Sequence, residues 1–347
     1  MKAYRMIAWK TAPEYQEIPQ PEPGPGQVLV KVGAAGICHS DLHVLHEFDA
    51  GVFNAELPFT LGHENAGWVE ALGPGATGFD VGEAVAVYGP LGCGRCARCQ
   101  TGDESICDRA AELPGAGWGL GVDGGTAPYM VVDSARQLAS LGDLDPVLAA
   151  PLTDAAVTPY RAIKRSQRVL GPGSTTTVIG VGGLGHLAVQ ILRAVSPTTV
   201  IAVDSRPEAR ALAESLGAHH TVEAGPDAAD AIRDLTKGLG VDLTLDLVGS
   251  DQTLAMAFAT ARAGSRIMLV GAAGGSIPYT LWATRFEVEV ATSMWGGTTD
   301  LRDVIALAQT GQLTPKVTTY GFDEIPTAFS ALESGTLEGR AVILPNG

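Results

Sequence analysis

The feature of this sequence that most constrains its fold is a glycine-rich turn that joins a strand pattern to a helix pattern. The turn reads Gly180-Val181-Gly182-Gly183-Leu184-Gly185 and follows an apolar run that begins at Thr176. Beyond the turn, apolar residues recur at helical spacing, at Leu184, Leu187, Ala188, Ile191, Ala194 and Val195. A buried strand that turns directly into an amphipathic helix predicts an α/β fold with a parallel sheet.

Strand-like and helix-like runs continue to alternate between residues 153 and 296, which predicts a parallel sheet covered by helices. Further strand patterns cover residues 199–203, 243–247 and 266–270. Residues 1 to about 150 differ, because proline and glycine separate short strand-like runs such as 28–32 and 84–88. This part of the chain is therefore expected to form a β-rich body with long loops, which the mixed last fifty residues could rejoin.

The glycine-rich turn predicts a dinucleotide site. Asp204 ends the next strand pattern, nineteen residues after Gly185, where a carboxylate can bind both ribose hydroxyls of the adenosine. It would repel a 2′-phosphate, so NAD is preferred over NADP, although the nearby Arg206 weakens this preference. The pyrophosphate would rest on the helix N-terminus, where backbone N–H groups and the helix dipole favour anions. The alternative is an ordinary tight turn.

Four of the five cysteines lie within fifteen residues, at Cys93, Cys96, Cys99 and Cys107. Four thiolates can close a tetrahedral shell around Zn²⁺, and a closed shell of this kind is structural because it leaves no open position. The alternatives are four reduced surface thiols, an iron–sulfur cluster and a nucleic-acid-binding zinc knuckle, which the acidic charge disfavours.

The fifth cysteine, Cys38, is part of a second predicted metal site. A thiolate at Cys38, an imidazole at His63 and a carboxylate at Asp154 would give three ligands and leave the fourth position open, which is the arrangement of catalytic zinc. Each residue also has a simpler interpretation. Cys38 could be a small buried apolar residue, and Asp154 could cap a helix. A single histidine such as His63 is by itself weak evidence for a metal ligand.

Composition excludes several classes of protein. The 347 residues suggest two domains, and 38 acidic against 23 basic residues give a net charge of −15, which disfavours binding to nucleic acid. No apolar run reaches the length of a membrane span, and no apolar segment of a secretory signal follows the N-terminus. We therefore expect a cytoplasmic protein whose thiols are reduced and available for metal.

Taken together, these residues resemble the medium-chain, zinc-dependent alcohol dehydrogenases over nearly the whole chain. The resemblance rests on Gly62-His63-Glu64, the cysteines at 93–107, the turn at 180–185 and Gly339-Arg340. The stretches 178–186 and 151–154 look closest to bacterial NAD-dependent enzymes for secondary and aryl alcohols. The family implies a discontinuous GroES-like catalytic domain, residues 1–152 and 297–347, and an inserted Rossmann domain with a doubly wound sheet, residues 153–296.

The resemblance also implies roles for individual residues. It implies two zinc ions per chain, one structural and one catalytic, the latter on Cys38, His63 and Asp154, although many members have a second cysteine in place of Asp154. Glu64 would lie beside the catalytic metal, Ser40 would bond the substrate oxygen, and His43 would relay the proton. The remaining cofactor contacts are expected at His39, Val270, Trp295 and Arg340. Trp295 would also flank the substrate, with Phe53 and Trp118 as weaker candidates.

The activity that the resemblance implies is reversible hydride transfer between an alcohol and NAD, which gives a ketone or an aldehyde. A polyol or formaldehyde dehydrogenase of the same fold is one alternative. A non-enzymatic protein that only binds a cofactor or zinc is another, and it predicts that a catalytic ligand is missing. A homo-oligomer, either a dimer or a tetramer, is expected, without a nucleic-acid or membrane partner.

Overall fold

The computed structural model describes residues 1–52 and 54–347, so the candidate Phe53 lies outside the described residues. The chain divides into two compact units. The first unit consists of Met1–Val157, Gly296–Gln309 and Pro315–Gly347, and the second of Thr158–Trp295 and Thr310–Thr314. The predicted boundary at residue 153 placed Asp154 in the central domain, whereas the structure includes it in the first unit, because the segment around it packs on strands of that unit.

The described residues form eighteen strands and ten α-helices. The strands are β1 Lys2–Met6, β2 Glu14–Glu17, β3 Val28–Ile37, β4 Phe59–Thr60, β5 Glu64–Leu72, β6 Ala84–Val87, β7 Gly117–Trp118, β8 Gly121–Val122, β9 Tyr129–Val132, β10 Leu138–Ser140, β11 Thr175–Ile179, β12 Thr199–Asp204, β13 His220–Glu223, β14 Val241–Asp246, β15 Ala261–Leu269, β16 Glu289–Thr292, β17 Val317–Gly321 and β18 Arg340–Leu344. The α-helices are α1 His39–His46, α2 Ala97–Gln100, α3 Pro146–Ala149, α4 Val157–Lys164, α5 Gly185–Val195, α6 Pro207–Ser215, α7 Ala228–Leu235, α8 Asp251–Thr260, α9 Thr298–Gln309 and α10 Ile325–Glu333.

The first unit is β-rich and draws on both ends of the chain. Its largest sheet has the strand order β10-β6-β5-β3-β18-β17, with β9 also paired to β3. Strand β3 is antiparallel to β5 on one side and to β18 on the other. The register places Gly36 opposite Glu64 and Ile37 opposite Ala341, so the ends of three strands meet next to Cys38. Except for Thr310–Thr314, the last fifty residues therefore belong with the first part of the chain.

The second unit is a parallel sheet of six strands in the order β13-β12-β11-β14-β15-β16. This is the 3-2-1-4-5-6 order of a doubly wound nucleotide-binding sheet. Strand β11 is buried except at its first residue, and the first eight residues of α5, 185–192, are all buried. The predicted α/β fold with a parallel sheet is confirmed. Among the described residues, no helix is both long enough and apolar enough to cross a bilayer.

Candidate functional site

The four clustered cysteines converge on one point in the first unit. The sulfur atoms of Cys93 and Cys99 are 3.9 Å apart, and so are those of Cys96 and Cys107. Two Zn–S bonds of about 2.3 Å at a tetrahedral angle would separate the sulfurs by about 3.8 Å, whereas a disulfide would bring them to about 2.05 Å. The spacing therefore fits a shared metal ion.

Backbone N–H groups surround these sulfurs. Cys93 Sγ accepts a hydrogen bond from the N–H of Cys96 at 3.3 Å, and Cys107 Sγ accepts one from the N–H of Arg109, also at 3.3 Å. Hydrogen bonds from the backbone of Arg95 and Cys96 lower the pKa of Cys93 to about 6, against the opposing effect of burial. At Cys93 the backbone thus favours the thiolate, the form in which cysteine binds zinc, whereas burial raises the pKa of Cys99 to about 12.

A second group of potential ligands comes together from three distant segments of the same unit. Cys38 follows β3, His63 precedes β5, and Asp154 ends a short turn of 3₁₀ helix. Asp154 Oδ2 lies 3.6 Å from Cys38 Sγ and 3.6 Å from His63 Nε2. Ligand bonds of typical length at a tetrahedral angle would give separations of about 3.5 and 3.3 Å. The three residues therefore fit a zinc site, and the carboxylate of Glu64 belongs to the same cluster.

Asp41, which the sequence did not single out, holds two ligands of this cluster in place. Its Oδ2 accepts the N–H of Cys38 at 2.8 Å, and its Oδ1 lies 3.1 Å from His63 Nδ1. The carboxylate is 1% exposed, so it fixes the start of α1 and orients the imidazole at the same time. A carboxylate on the distal nitrogen of a metal-binding histidine is a common supporting contact. The signal in the sequence was an acid in the first turn of a helix that begins after Cys38.

The electrostatics of the cluster favour a thiolate at Cys38 and a protonated imidazole at His63. Burial raises the pKa of Cys38, but the positive charge of Arg340 and contacts with His63 outweigh it and lower the pKa. Burial lowers the pKa of His63, but the charge of Asp41, followed by hydrogen bonds to its carboxylate neighbours, raises it well above the ordinary value. Zinc binds the neutral imidazole, so a cation bound here would displace the proton of His63.

Arg340 lies inside the first unit against Glu64. Its Nε donates to Glu64 Oε2 at 3.3 Å, and a second, closer bond joins its terminal nitrogen to Oε1. Both side chains are 2% exposed or less. Burial lowers the pKa of Arg340, but the charges of Glu64 and Cys38 raise it above the usual range, so the guanidinium is charged. Burial raises the pKa of Glu64 against the opposing charge of Arg340, so the carboxylate depends on this partner to stay ionised. The described ion pair thus places Arg340 beside the metal cluster, and its predicted contact with the cofactor stays a prediction.

The remaining catalytic candidates lie on α1. Ser40 Oγ is 3.7 Å from Cys38 Sγ, so its hydroxyl is next to the metal cluster. His43 is one turn further along, and its Nδ1 is 2.9 Å from a carboxylate oxygen of Glu47. His39 begins the helix and is exposed. Trp118, elsewhere in this unit, is buried.

The glycine-rich turn in the second unit has the shape of a phosphate-binding loop. Gly180 has a φ of 87°, and a Cβ at Gly185 would lie 1.9 Å from the carbonyl oxygen of Gly180. A Cβ at Gly182 would instead meet nothing nearer than 4.0 Å, so this glycine leaves open space at the start of α5. The turn therefore needs glycine for backbone conformation, for close packing and for an open approach.

Asp204 lies next to this turn at the end of β12. Its Oδ2 accepts the N–H of Val181 at 2.8 Å, and its Oδ1 accepts the N–H of Arg206 at 2.9 Å. Val270 directly follows β15, and Trp295 is buried at the end of the second unit with a φ of 51°. The structure thus brings Asp204 and Arg206 to the glycine turn, and the cofactor contacts of these four residues stay predictions.

Comparison with known proteins decides the family. Residues 24–143 match the family model of the alcohol dehydrogenase GroES-like domain, and residues 183–310 match that of zinc-binding dehydrogenases. The chain belongs to the zinc-dependent alcohol dehydrogenase family. This assignment confirms the predicted resemblance and the predicted combination of a GroES-like domain with a Rossmann domain. Zinc and NAD, the cofactors that the matching family and relatives name, fit the ligand spacing and the glycine turn described above.

Relatives of this alcohol dehydrogenase span its full length. An NAD-dependent alcohol dehydrogenase of Sulfurisphaera tokodaii is 38% identical, over 99% of this chain and 100% of the relative. D-arabinose 1-dehydrogenase (NADP(+)) of Saccharolobus solfataricus is 34% identical, over 95% of this chain and 93% of the relative. Among solved structures, the alcohol dehydrogenase of Aeropyrum pernix has a TM-score of 0.92 at 34% identity, over 99% and 100%. The structure of acetophenone reductase of Geotrichum candidum in complex with NAD has a TM-score of 0.86 at 30% identity, over 99% of this chain and 96% of the other.

Proposed function

We propose that this protein is a zinc-dependent alcohol dehydrogenase that transfers hydride reversibly between a secondary or aryl alcohol and NAD. The observation that carries the proposal is the convergence of Cys38, His63 and Asp154 at separations that suit three zinc ligands. A purely structural protein would not need this second, incomplete ligand shell in addition to the four-cysteine site. The non-enzymatic alternative predicted a missing ligand, and all three are present.

The protein's own residues bind the substrate and move its proton. Zinc at the three-ligand site would polarise the alcohol oxygen, and NAD would accept the hydride. Ser40, next to Cys38 Sγ, accepts the hydrogen bond of the substrate hydroxyl. With NAD bound, Ser40 and the ribose hydroxyl of the nicotinamide would lead the proton to His43, whose ring can exchange it with solvent. Asp41 keeps His63 in position throughout.

One solved structure supports the proposed substrate class, and one relative favours the polyol alternative. One solved neighbour is named an acetophenone reductase, and an aryl ketone is the product of a secondary aryl alcohol. A relative named for D-arabinose keeps the polyol alternative open. The test is steady-state turnover of a panel of aryl, aliphatic and polyol substrates with NAD and NADP, before and after chelation. Turnover of aryl alcohols that chelation abolishes supports the proposal, whereas a preference for polyols contradicts the substrate class.

We further propose two zinc ions per chain and a cytoplasmic protein, since four thiolates that share a metal require a reducing compartment. Cys99→Ser is expected to remove about one zinc per chain and to lower the thermal midpoint, because the cysteine lobe has little apolar core of its own. Elemental analysis and thermal unfolding measure both effects. Cys38→Ser is the matched control, and it should remove the other zinc and turnover with a smaller thermal shift. A Cys99→Ser variant with both metals would contradict the four-sulfur site.

Asp204 is proposed to bind the adenosine ribose and to disfavour NADP. Asp204→Gly is expected to lower kcat/KM with NAD and to raise it with NADP, because the carboxylate that repels a 2′-phosphate is removed. The same change also removes the acceptor for the N–H of Val181, so the loss with NAD should be the larger effect. The ratio of kcat/KM for the two cofactors is the measurement. An unchanged ratio would show that Asp204 does not face the ribose.

We propose that the protein is a homo-oligomer in which the edge of the second unit's sheet pairs with a second copy. Strand β16 is the last strand of the sheet, and its outer edge has no strand partner among the described residues. Large apolar side chains of the adjoining segment are exposed: Tyr279, Leu281, Trp282 and Phe286. An open sheet edge next to an apolar patch is typical of a surface that another chain covers.

Trp282→Glu is therefore expected to shift the protein towards a monomer, since it places a charge on a side chain that is 78% exposed in the isolated chain. Sedimentation at several concentrations measures the change. Val81→Glu is the matched control, because Val81 is an exposed apolar residue of the first unit. Equal sedimentation of the wild type and the Trp282 variant would contradict this interface.

A further inference from the structure

The second unit contains a buried histidine, His186, that the proposed mechanism does not use. It is the second residue of α5 and is 0% exposed. Its Nδ1 lies 2.9 Å from the carbonyl oxygen of Gly182, and its backbone N–H reaches the same oxygen at 3.3 Å. A carbonyl oxygen only accepts hydrogen bonds, so Nδ1 carries a proton and donates it.

This contact fixes the orientation of one peptide group in the glycine turn. In a planar trans peptide the C=O and the following N–H point in opposite directions. Because the carbonyl of Gly182 is held towards the helix by His186, the N–H of Gly183 is directed away from the helix, to the side where its N-terminus attracts anions. At 2.9 Å, the hydrogen bond from the side chain is shorter than the 3.3 Å hydrogen bond from the backbone N–H to the same oxygen.

The turn is held from a second direction as well. Asp204 Oδ2 accepts the N–H of Val181 at 2.8 Å, so that N–H points at the carboxylate at the end of β12. Glycine has access to many backbone conformations. A turn with glycine at 180, 182 and 183 therefore requires external contacts to hold a single conformation. His186 and Asp204 supply these contacts on successive residues.

We propose that His186 is a positioning residue for the pyrophosphate of the cofactor: it aligns the Gly182–Gly183 peptide so that its N–H meets a phosphate oxygen. The inference rests on the proposed function, since it assumes that a dinucleotide occupies this turn. His186 itself does not touch the cofactor. It acts through the backbone, so its loss should weaken ligands that carry a pyrophosphate and spare ligands that lack one.

The test compares three substitutions in the zinc-loaded full-length enzyme. His186→Asn keeps a donor near the place of Nδ1, His186→Gln moves the donor one bond further out, and His186→Leu removes it. NADH affinity is measured by fluorescence titration, and ADP-ribose and adenosine are measured as competitors. Ile191→Val, a buried change further along α5, serves as a control for lost packing.

We expect His186→Leu to weaken NADH and ADP-ribose three- to tenfold, which is the typical effect of one neutral hydrogen bond. Adenosine should change less than twofold, and His186→Asn should recover most of the affinity. If the leucine variant does not fold, the difference in NADH affinity between His186→Asn and His186→Gln tests the inference. Equal weakening of adenosine, or equal affinity of the asparagine and glutamine variants, would overturn the inference. A wild type that binds no NADH would instead contradict the proposed function.

Discussion

Asp154→Ala is expected to lose the metal of the three-ligand site and to abolish turnover, while the cysteine lobe keeps its own metal. The reason is geometric, because Asp154 Oδ2 is 3.6 Å from both Cys38 Sγ and His63 Nε2 and so faces the point that those two ligands share. Removal of the carboxylate leaves two protein ligands, which is fewer than catalytic zinc sites use. Metal content and turnover, measured on the same preparation, check this expectation.

Two further substitutions separate the ligand role of Asp154 from a structural one. Asp154→Cys supplies a thiolate, so it should retain the metal and part of the turnover. Asp154→Asn keeps an oxygen but no charge and should bind zinc weakly. If Asp154 only capped a helix, Asp154→Ala would instead cost about 1 kcal/mol of stability and keep activity. Both metals and near-normal turnover in that variant would point to Glu64, whose carboxylate lies in the same cluster, as the third ligand.

The parts of the site that the sequence predicts well are those built from neighbours in the chain. The four cysteines lie within fifteen residues, and the glycine turn lies between a strand and a helix that are contiguous with it. Local spacing alone restricts the geometry of such segments. The periodicity of the central region likewise predicts its parallel sheet, which the structure confirms in the order typical of a doubly wound fold.

The sequence pattern did not predict contacts between residues that are far apart in the chain. Asp41 supports His63 from 22 positions away, and Arg340 pairs with Glu64 across 276 positions. Both pairs depend on the register of β3 with β5 and β18, and no local pattern encodes that register. Asp154 is a similar case, because the predicted boundary at residue 153 placed it in the central domain, although its segment packs on the β-rich unit.

Arg340→Met is expected to lower the free energy of unfolding of the first unit by about 3–5 kcal/mol, the typical cost of leaving one member of a buried ion pair without its partner. Glu64 is fully buried, so water cannot replace the guanidinium that bonds both of its carboxylate oxygens. Zinc affinity should fall too, because the positive charge of Arg340 lowers the pKa of Cys38 and so favours the thiolate. Denaturant unfolding followed in the zinc-loaded enzyme, together with metal titration, measures both effects.

The double variant Glu64→Leu/Arg340→Met separates the cost of an unpaired charge from the value of the pair. Two apolar side chains leave no charge uncompensated, so this variant should recover most of the stability that Arg340→Met alone loses. It should not recover zinc affinity, because the charge that favours the Cys38 thiolate is still missing. Recovery of both properties would mean that Arg340 acts on the metal site only by neutralising Glu64. Recovery of neither would mean that the side chain is required for packing between β18 and β5 rather than for its charge.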